Sequence, residues 1–166
     1  MTEATVRVMF VCLGNICRSP TAHGVFRHRV AEAGLGDRIE IASSGTGDWH
    51  IGKPPDQRAA SAALKRQIDI DDLRAQQVTA DDLRAFDYVL AMDADNLASL
   101  QTLYQATADA RAEPSLFMRY STAYRDQSVP DPYFGGEQGF ERVLDMIEDA
   151  SSGLLADIRQ RWPDLD

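Results

Sequence analysis

The sequence predicts an α/β fold in which a central parallel sheet of four strands is covered by helices on both faces. Short apolar runs rich in β-branched residues recur along the chain, and such runs are typical of strands buried on both sides. Stretches with apolar residues at helical spacing separate these runs. The 166 residues contain no repeat, low-complexity segment or long linker, so we expect one domain spanning residues 1–166.

The predicted elements alternate along the chain, which implies right-handed crossovers between parallel strands. Strands are expected at 6–11, 39–42, 86–92 and within 112–118. Helices are expected from an N-cap at Ser19 to a stop at Gly34, after the Pro54-Pro55 pair, from Thr79, over 93–104, and from Glu137 to near Pro163. The stretch 119–136 lacks clear periodicity, and because long loops tend to carry function we expect a second catalytic group there.

The charge pattern restricts the class of ligand. A net charge of −9 disfavours sequence-independent binding of nucleic acid. Residues 1–62 carry seven basic and six acidic side chains, whereas residues 126–166 carry three and ten. A small anion is therefore expected to bind in the first third of the chain.

The cysteine content and the absence of long apolar runs indicate the compartment. The only two cysteines lie five positions apart, which excludes a disulfide framework. No apolar run reaches the roughly 18 residues of a membrane helix, and the start of the chain lacks the features of a signal peptide. We expect a protein of the reducing cytoplasm that does not bind membranes.

The loop after the first strand carries the chemistry. It contains a Cys-x5-Arg-Ser element, Cys12 to Ser19, between a strand and a helix. Backbone amides and the positive end of a helix dipole make such a loop an anion site, and the same field favours the nucleophilic thiolate of Cys12. Arg18 would hold two oxygens of a tetrahedral oxyanion.

Other side chains of this loop suit a tight anion cradle. Gly14 and Asn15 are residue types that tolerate left-handed dihedrals, and Ser19 can donate a hydrogen bond to the thiolate. The glycine-rich patterns of nucleotide-binding loops are absent after the first strand.

Four segments resemble the low-molecular-weight protein tyrosine phosphatase family. VCLGNICRSP resembles the family's phosphate-binding loop, and SSGTGDWHIGKPPDQRA at 43–59, AMDADN at 91–96 and DPYFGG at 131–136 follow in the family's order. The resemblance covers essentially the whole chain. It implies hydrolysis of phosphotyrosine and small aryl phosphates through a phosphocysteine intermediate, with no metal or other cofactor.

The resemblance also implies roles for individual residues. Cys12 corresponds to the nucleophile, Arg18 to the phosphate clamp, and Asp131 to the general acid that later activates water. The remaining positions are the substrate-binding loop residues Leu13, Gly14, Asn15, Ile16, Cys17 and Ser19, the loop support Ser43, and the aromatic walls Trp49 and Tyr133, with Phe134 beside them.

Two residues depart from the family pattern. His23 stands where the family usually has Glu, which changes the local charge and the helix contacts. Gln76 stands in Arg-Ala-Gln-Gln where many members have Arg-Ala-Arg-Gln, so a supporting salt bridge is expected to be missing.

Several interpretations remain open from the sequence. Cys17 is either a resolving thiol for oxidised Cys12 or filler, and Trp49 is either a cleft wall or core packing. The three histidines fit no zinc motif and are interpreted as structural or solvated.

Rival activities are arsenate reduction, a phosphocarrier role and a non-catalytic phosphotyrosine-binding module. The additional cysteines that a thioredoxin-coupled arsenate reductase needs are absent from the sequence. A phosphocarrier is disfavoured because it should avoid a group that activates water, such as Asp131. The expected partner is a phosphotyrosine-bearing protein, with a bacterial tyrosine kinase as one candidate, and no pattern indicates an oligomeric state.

Overall fold

The computed structural model describes residues 5–132 and 136–165. Its centre is a four-stranded parallel sheet with the strand order β2-β1-β3-β4. The strands are β1 (Val6–Cys12), β2 (Ile39–Gly45), β3 (Tyr88–Ala91) and β4 (Ser115–Leu116). The predicted sheet is confirmed, although β4 has only two residues.

Five α-helices and one 3₁₀ turn surround the sheet in the described ranges. They are α1 (Arg18–Glu32), α2 (Gln57–Leu64), α3 (Ala80–Ala85), α4 (Ala94–Gln105), the 3₁₀ turn Phe117–Tyr120 and α5 (Glu137–Arg161). Within residues 5–132 and 136–165, no helix combines the length and the apolar character that crossing a bilayer requires.

Strand β1 separates two hydrophobic cores. Alternate residues such as Val8 and Phe10 join the core formed with α1, α2 and α5, while Met9 and Val11 join the core formed with α3 and α4. Phe10 anchors the larger core through edge contacts to Phe26 and Phe117, with ring centroids 5.8 and 4.9 Å apart. A strand covered on both faces explains why 6–11 is a nearly continuous apolar run.

Helix α1 does not start as the sequence predicts. Its N-cap is Cys17, which makes no capping hydrogen bond through its side chain, and Ser19 lies inside the first turn. The Ser19 hydroxyl instead contacts groups of the preceding loop. The predicted N-cap at Ser19 is therefore wrong, because tertiary partners engage the hydroxyl that would have capped the helix.

The carboxyl ends of the strands gather the functional segments at one edge of the sheet. Cys12 lies opposite Gly45 in the register of β1 and β2, and Val11 lies opposite Ala91 in β3. The segments that follow these strands consequently meet above this edge, which is where open α/β sheets bind ligands.

The long segment after the 3₁₀ turn is anchored near its start and again close to Asp131. Asp149 of α5 accepts hydrogen bonds from the Ser121 hydroxyl and from the Thr122 and Ala123 amides at 2.5, 2.8 and 3.1 Å. These bonds hold the pKa of Asp149 below its usual value, the Ser121 bond most strongly. The amide of the buried Val129 donates to the Met92 carbonyl at 2.8 Å.

We expect Gly153→Ala to destabilise the fold. A Cβ at Gly153 of α5 would lie 1.7 Å from the Tyr120 carbonyl oxygen, so helix and 3₁₀ turn would have to separate. Overpacking of this kind costs about 1–3 kcal/mol and outweighs the gain of about 1 kcal/mol in helix propensity. Urea unfolding measures the change.

Gly36→Ala is the matched control, because a Cβ at Gly36 meets nothing within 4 Å. Its free energy of unfolding should change by no more than about 0.5 kcal/mol. Equal stability of the two variants would contradict the close approach of α5 to Tyr120.

Candidate active site

The loop between β1 and α1 is shaped by Asn15. Asn15 adopts a left-handed conformation with φ 58°, and its side chain reaches both sides of the loop. Nδ2 donates to Ser19 Oγ at 2.7 Å, and Oδ1 accepts from the Gln76 amide at 2.9 Å. These bonds offset the cost of a non-glycine residue in this region of dihedral space.

Gly14 has a different role from the one its residue type suggests. Its φ is not positive, unlike that of Gly34 and Gly52, so the expected left-handed dihedral is wrong for this position. A Cβ at Gly14 would lie 2.9 Å from His50 Cδ2, so glycine is needed to admit the imidazole ring. His50 thus packs on the loop, a contact that no sequence pattern predicts.

The Cys12 thiol lies at the start of the loop and is 3% exposed. Its Sγ is 3.0 Å from Ser19 Oγ and accepts from the Asn15 amide at 3.2 Å. Both contacts come from groups able to donate hydrogen bonds, and such donors stabilise a thiolate.

Arg18 is 4% exposed and held by two acceptors. Its Nη1 donates to Asp93 Oδ2 at 2.5 Å and to the Val129 carbonyl at 3.0 Å. Asp93 is also the N-cap of α4, where Oδ1 accepts from the Asn96 amide at 2.7 Å. Sequence reasoning missed this role of Asp93, although the residue lies in the AMDADN segment directly after β3.

The backbone carbonyls of the loop bond to neighbouring segments. The Thr46 and Gly47 amides donate to the Cys12 and Leu13 carbonyls, each at 2.9 Å. The Ile16 carbonyl accepts from the Asp56 amide at 2.7 Å. In a loop whose backbone amides bind an anion, the backbone carbonyls are expected to form hydrogen bonds with neighbouring segments in this way.

One cavity of about 280 Å³ is lined by most of the predicted site residues, but not by Asn15, Ser19 or Ser43. Asp131 is 45% exposed at its mouth, with Oδ2 3.9 Å from Arg18 Nη2. The lining comprises Cys12, Leu13, Gly14, Ile16, Cys17, Arg18, Trp49, His50 and Asp131. The predicted wall Tyr133 and its neighbour Phe134 lie outside the described residues.

Trp49 belongs to the cavity rather than to the core. It is 65% exposed, which rules out the core-packing interpretation. Its ring covers Gly47, where a Cβ would lie 1.8 Å from the indole, so glycine is needed at 47.

Cys17 is a second buried thiol in the same loop. Burial raises its pKa to about 12, and the nearby Asp56 carboxylate adds to the effect. Cys17 is therefore a neutral thiol at physiological pH.

The two residues that depart from the family pattern meet at Ser43 of β2. His23 Nδ1 lies 3.1 Å from Ser43 Oγ, and Gln76 Nε2 donates to the Ser43 carbonyl at 2.9 Å. Burial lowers the pKa of His23 to about 4, so its imidazole is neutral near pH 7. Gln76 supports the site by two hydrogen bonds, one from its side chain to β2 and one from its backbone amide to Asn15.

Comparison with known proteins gives a consistent result. The family model described as low molecular weight phosphotyrosine protein phosphatase matches residues 7–163. A low molecular weight protein-tyrosine-phosphatase of Streptomyces coelicolor is 45% identical, with 95% of this chain and 96% of the relative covered.

Solved structures agree with the sequence match. YfkJ of Bacillus subtilis has a TM-score of 0.85 at 38% identity, covering 96% of this chain and 98% of that one. A Drosophila arginine phosphatase also has a TM-score of 0.85, at 28% identity, covering 92% of this chain and 97% of that one.

The family match extends over nearly the whole chain, and Cys12 at the end of β1 and Arg18 at the start of α1 flank one loop. The chain therefore belongs to the low molecular weight phosphotyrosine protein phosphatases, hydrolases that act on phosphotyrosine through a cysteine nucleophile.

Proposed function

We propose that Cys12, Arg18 and Asp131 are the nucleophile, the phosphate clamp and the general acid–base of a metal-independent phosphotyrosine hydrolysis. The observation that supports this most directly is the shared cavity: all three side chains line it, with Cys12 and Arg18 buried and Asp131 at the mouth. A substrate phosphate entering past Asp131 meets Cys12 and Arg18 together.

The reaction has two steps. In the first, the Cys12 thiolate attacks phosphorus, the bond to the phenolic oxygen breaks, and Asp131 gives its proton to that oxygen. In the second, the Asp131 carboxylate takes a proton from water, the water oxygen attacks phosphorus, and the S–P bond breaks to release phosphate and the thiolate.

Arg18 neutralises charge on the phosphoryl oxygens during both steps. Its Nη1 is fixed by Asp93 and Val129, and its Nη2 faces Asp131 across the cavity. A guanidinium held in place before the substrate arrives loses little entropy on binding, so its electrostatic contribution is available in the transition state.

The wider setting of the enzyme follows from this chemistry. We propose that residues 1–166 form one phosphatase domain whose substrate is a phosphotyrosine-bearing protein, with a bacterial tyrosine kinase as a candidate. A nucleophilic thiol must stay reduced, which favours the cytoplasm. A phosphocarrier is disfavoured because Asp131 lies where it would activate water.

Cys12→Ser should lower kcat for a phosphotyrosyl peptide by about three orders of magnitude or more, because the covalent nucleophile is lost. Phosphate should still bind, since Arg18 and the loop amides remain. Metal-free turnover assays and calorimetric titration with inorganic phosphate measure the two effects. Substantial residual turnover would exclude Cys12 as the nucleophile.

Asp131→Asn should lower kcat/KM most for basic leaving groups. A phenolate, whose conjugate acid has a pKa of about 10, depends on protonation, whereas a nitrophenolate leaves with little help. We expect a loss of about 100-fold or more for phenyl phosphate and a smaller loss for nitrophenyl phosphate.

The measurement for Asp131 is a plot of kcat/KM against leaving-group pKa for a series of aryl phosphates. The variant should show a steeper negative slope than the wild type. Parallel lines would exclude Asp131 as the general acid.

The cavity should select aryl phosphates. Leu13, Ile16 and Trp49 give its rim an apolar character that suits a phenyl ring, and stacking on Trp49 adds about 0.5–1.5 kcal/mol. A phosphoguanidinium group, the alternative raised by the arginine phosphatase neighbour, would lose hydrogen bonds to water against this rim. Phosphotyrosyl peptides should therefore exceed matched phosphoseryl and phosphoarginyl peptides in kcat/KM, and a preference for either competitor would contradict the assignment.

Cys17 should protect Cys12 from permanent oxidation. Peroxide converts the Cys12 thiolate to a sulfenic acid, and the Cys17 sulfur then displaces water to form a disulfide that dithiols reduce. After mild peroxide, wild type should regain activity with dithiothreitol, whereas Cys17→Ser should lose a larger share of its own untreated activity permanently. Equal recovery in both proteins would exclude this role.

A further inference from the structure

His23 is a buried imidazole that the reaction does not use. It lies in the second turn of α1 with 9% of its surface exposed, and its Nδ1 is 3.1 Å from Ser43 Oγ. Burying a polar ring costs free energy unless the ring is hydrogen-bonded. The contact with Ser43 offsets this cost and joins α1 to β2.

We propose that His23 is a positioning residue of this phosphatase: its hydrogen bond to Ser43 fixes the carboxyl end of β2, against which the phosphate-binding loop is built. The proposal rests on the assignment of Cys12 as the nucleophile, because its effect on the reaction runs through that loop.

A continuous set of hydrogen bonds leads from Ser43 to the nucleophile. The Ser43 carbonyl accepts from Gln76 Nε2 at 2.9 Å, and the Gln76 amide donates to Asn15 Oδ1 at 2.9 Å. Asn15 Nδ2 donates to Ser19 Oγ at 2.7 Å, and Ser19 Oγ lies 3.0 Å from Cys12 Sγ. Ser43, Asn15 and Ser19 are buried, where hydrogen bonds exchange least with water. Gln76 is an exposed residue, but both of its hydrogen bonds in this set are partly buried.

The backbone just beyond Ser43 touches the loop directly. A Cβ at Gly45 would lie 2.6 Å from the Leu13 carbonyl oxygen, so β2 and the loop are in close contact there. Thr46 and Gly47 then donate to the Cys12 and Leu13 carbonyls. A shift of β2 at Ser43 would therefore move the first two residues of the loop.

The surroundings of His23 keep the ring in place and neutral. Helix α1 packs closely on the segment after α2, since a Cβ at Gly24 would lie 2.3 Å from Ile70 Cγ2. The nearby charges are Arg27, which lowers the pKa of His23, and Asp72, which raises it. Arg27 Nη1 and Nη2 each donate to the Asp72 carboxylate at 2.9 Å, so these two charges compensate each other.

Four variants test the proposal: His23→Leu, His23→Asn, Ser43→Ala and the double variant His23→Leu/Ser43→Ala. Asparagine places a polar side-chain atom near the position of Nδ1, whereas leucine fills the space without a hydrogen bond. His28→Leu is the matched control, because His28 lies on the same helix with 47% of its side chain exposed.

We expect His23→Leu and Ser43→Ala each to lower kcat about tenfold and to weaken inhibition by inorganic phosphate, because each loses the same hydrogen bond and shifts the loop. The double variant should be no worse than the single variants, since the two residues act through one contact. His23→Asn should recover most of kcat, and His28→Leu should match the wild type.

Stability must be separated from positioning. Rates are expressed per folded molecule. Leu154→Ala, which truncates a buried side chain of α5, serves as a destabilised reference that should keep kcat. If His23→Leu does not fold, two other variants still test the proposal. Ser43→Ala should have a lower kcat than the wild type, whereas His23→Asn should retain most of it.

Three results would overturn the proposal: His23→Leu with the kcat of the wild type, His23→Asn no better than His23→Leu, or losses that multiply in the double variant. Failure of the proposed function would give a different result from failure of the His23 proposal. If Cys12 is not the nucleophile, the Cys12→Ser variant keeps its turnover, whatever kcat the His23 variants show.

Discussion

The site depends on the two hydrogen bonds that the Asn15 side chain makes. This side chain joins the phosphate-binding loop to Ser19 on the helix side and to Gln76 on the other side, while the residue itself is left-handed. The bonds that hold this conformation also bring Ser19 Oγ and the Asn15 amide to the sulfur of Cys12. Loop shape and the hydrogen bonding of the Cys12 sulfur are consequently one property of the structure.

The second requirement is a partner for the buried guanidinium of Arg18. An unpaired buried charge would cost several kcal/mol, and Asp93 supplies the countercharge from the end of β3. Because Asp93 also caps α4 and Val129 binds the same nitrogen, the clamp is supported by two neighbouring segments. The segment with Val129 continues to Asp131, so the segment that holds Arg18 also carries the proposed general acid.

The sequence predicts the features that depend on local pattern. Apolar runs located the four parallel strands, and the Cys-x5-Arg spacing after the first of them located Cys12 and Arg18. The predicted cap at Ser19 failed because its hydroxyl bonds to Asn15 and Cys12 of the preceding loop instead of capping the helix. Asp93 was missed because its link to Arg18 spans 75 positions, and Trp49 was ambiguous because residue type does not tell a rim from a core.

The central claim is that phosphate passes through a covalent bond to Cys12. The direct measurement is to quench the enzyme in acid during turnover of a phosphotyrosyl peptide, digest it, and locate the phosphoryl group by mass spectrometry. The assignment predicts one phosphoryl group on the peptide that contains Cys12 and none in Cys12→Ser. Asp131→Asn should accumulate more of the phosphorylated peptide when hydrolysis of the phosphocysteine is the slower step. A phosphoryl group on another residue, or its absence from wild type and Asp131→Asn while both turn over, would contradict it.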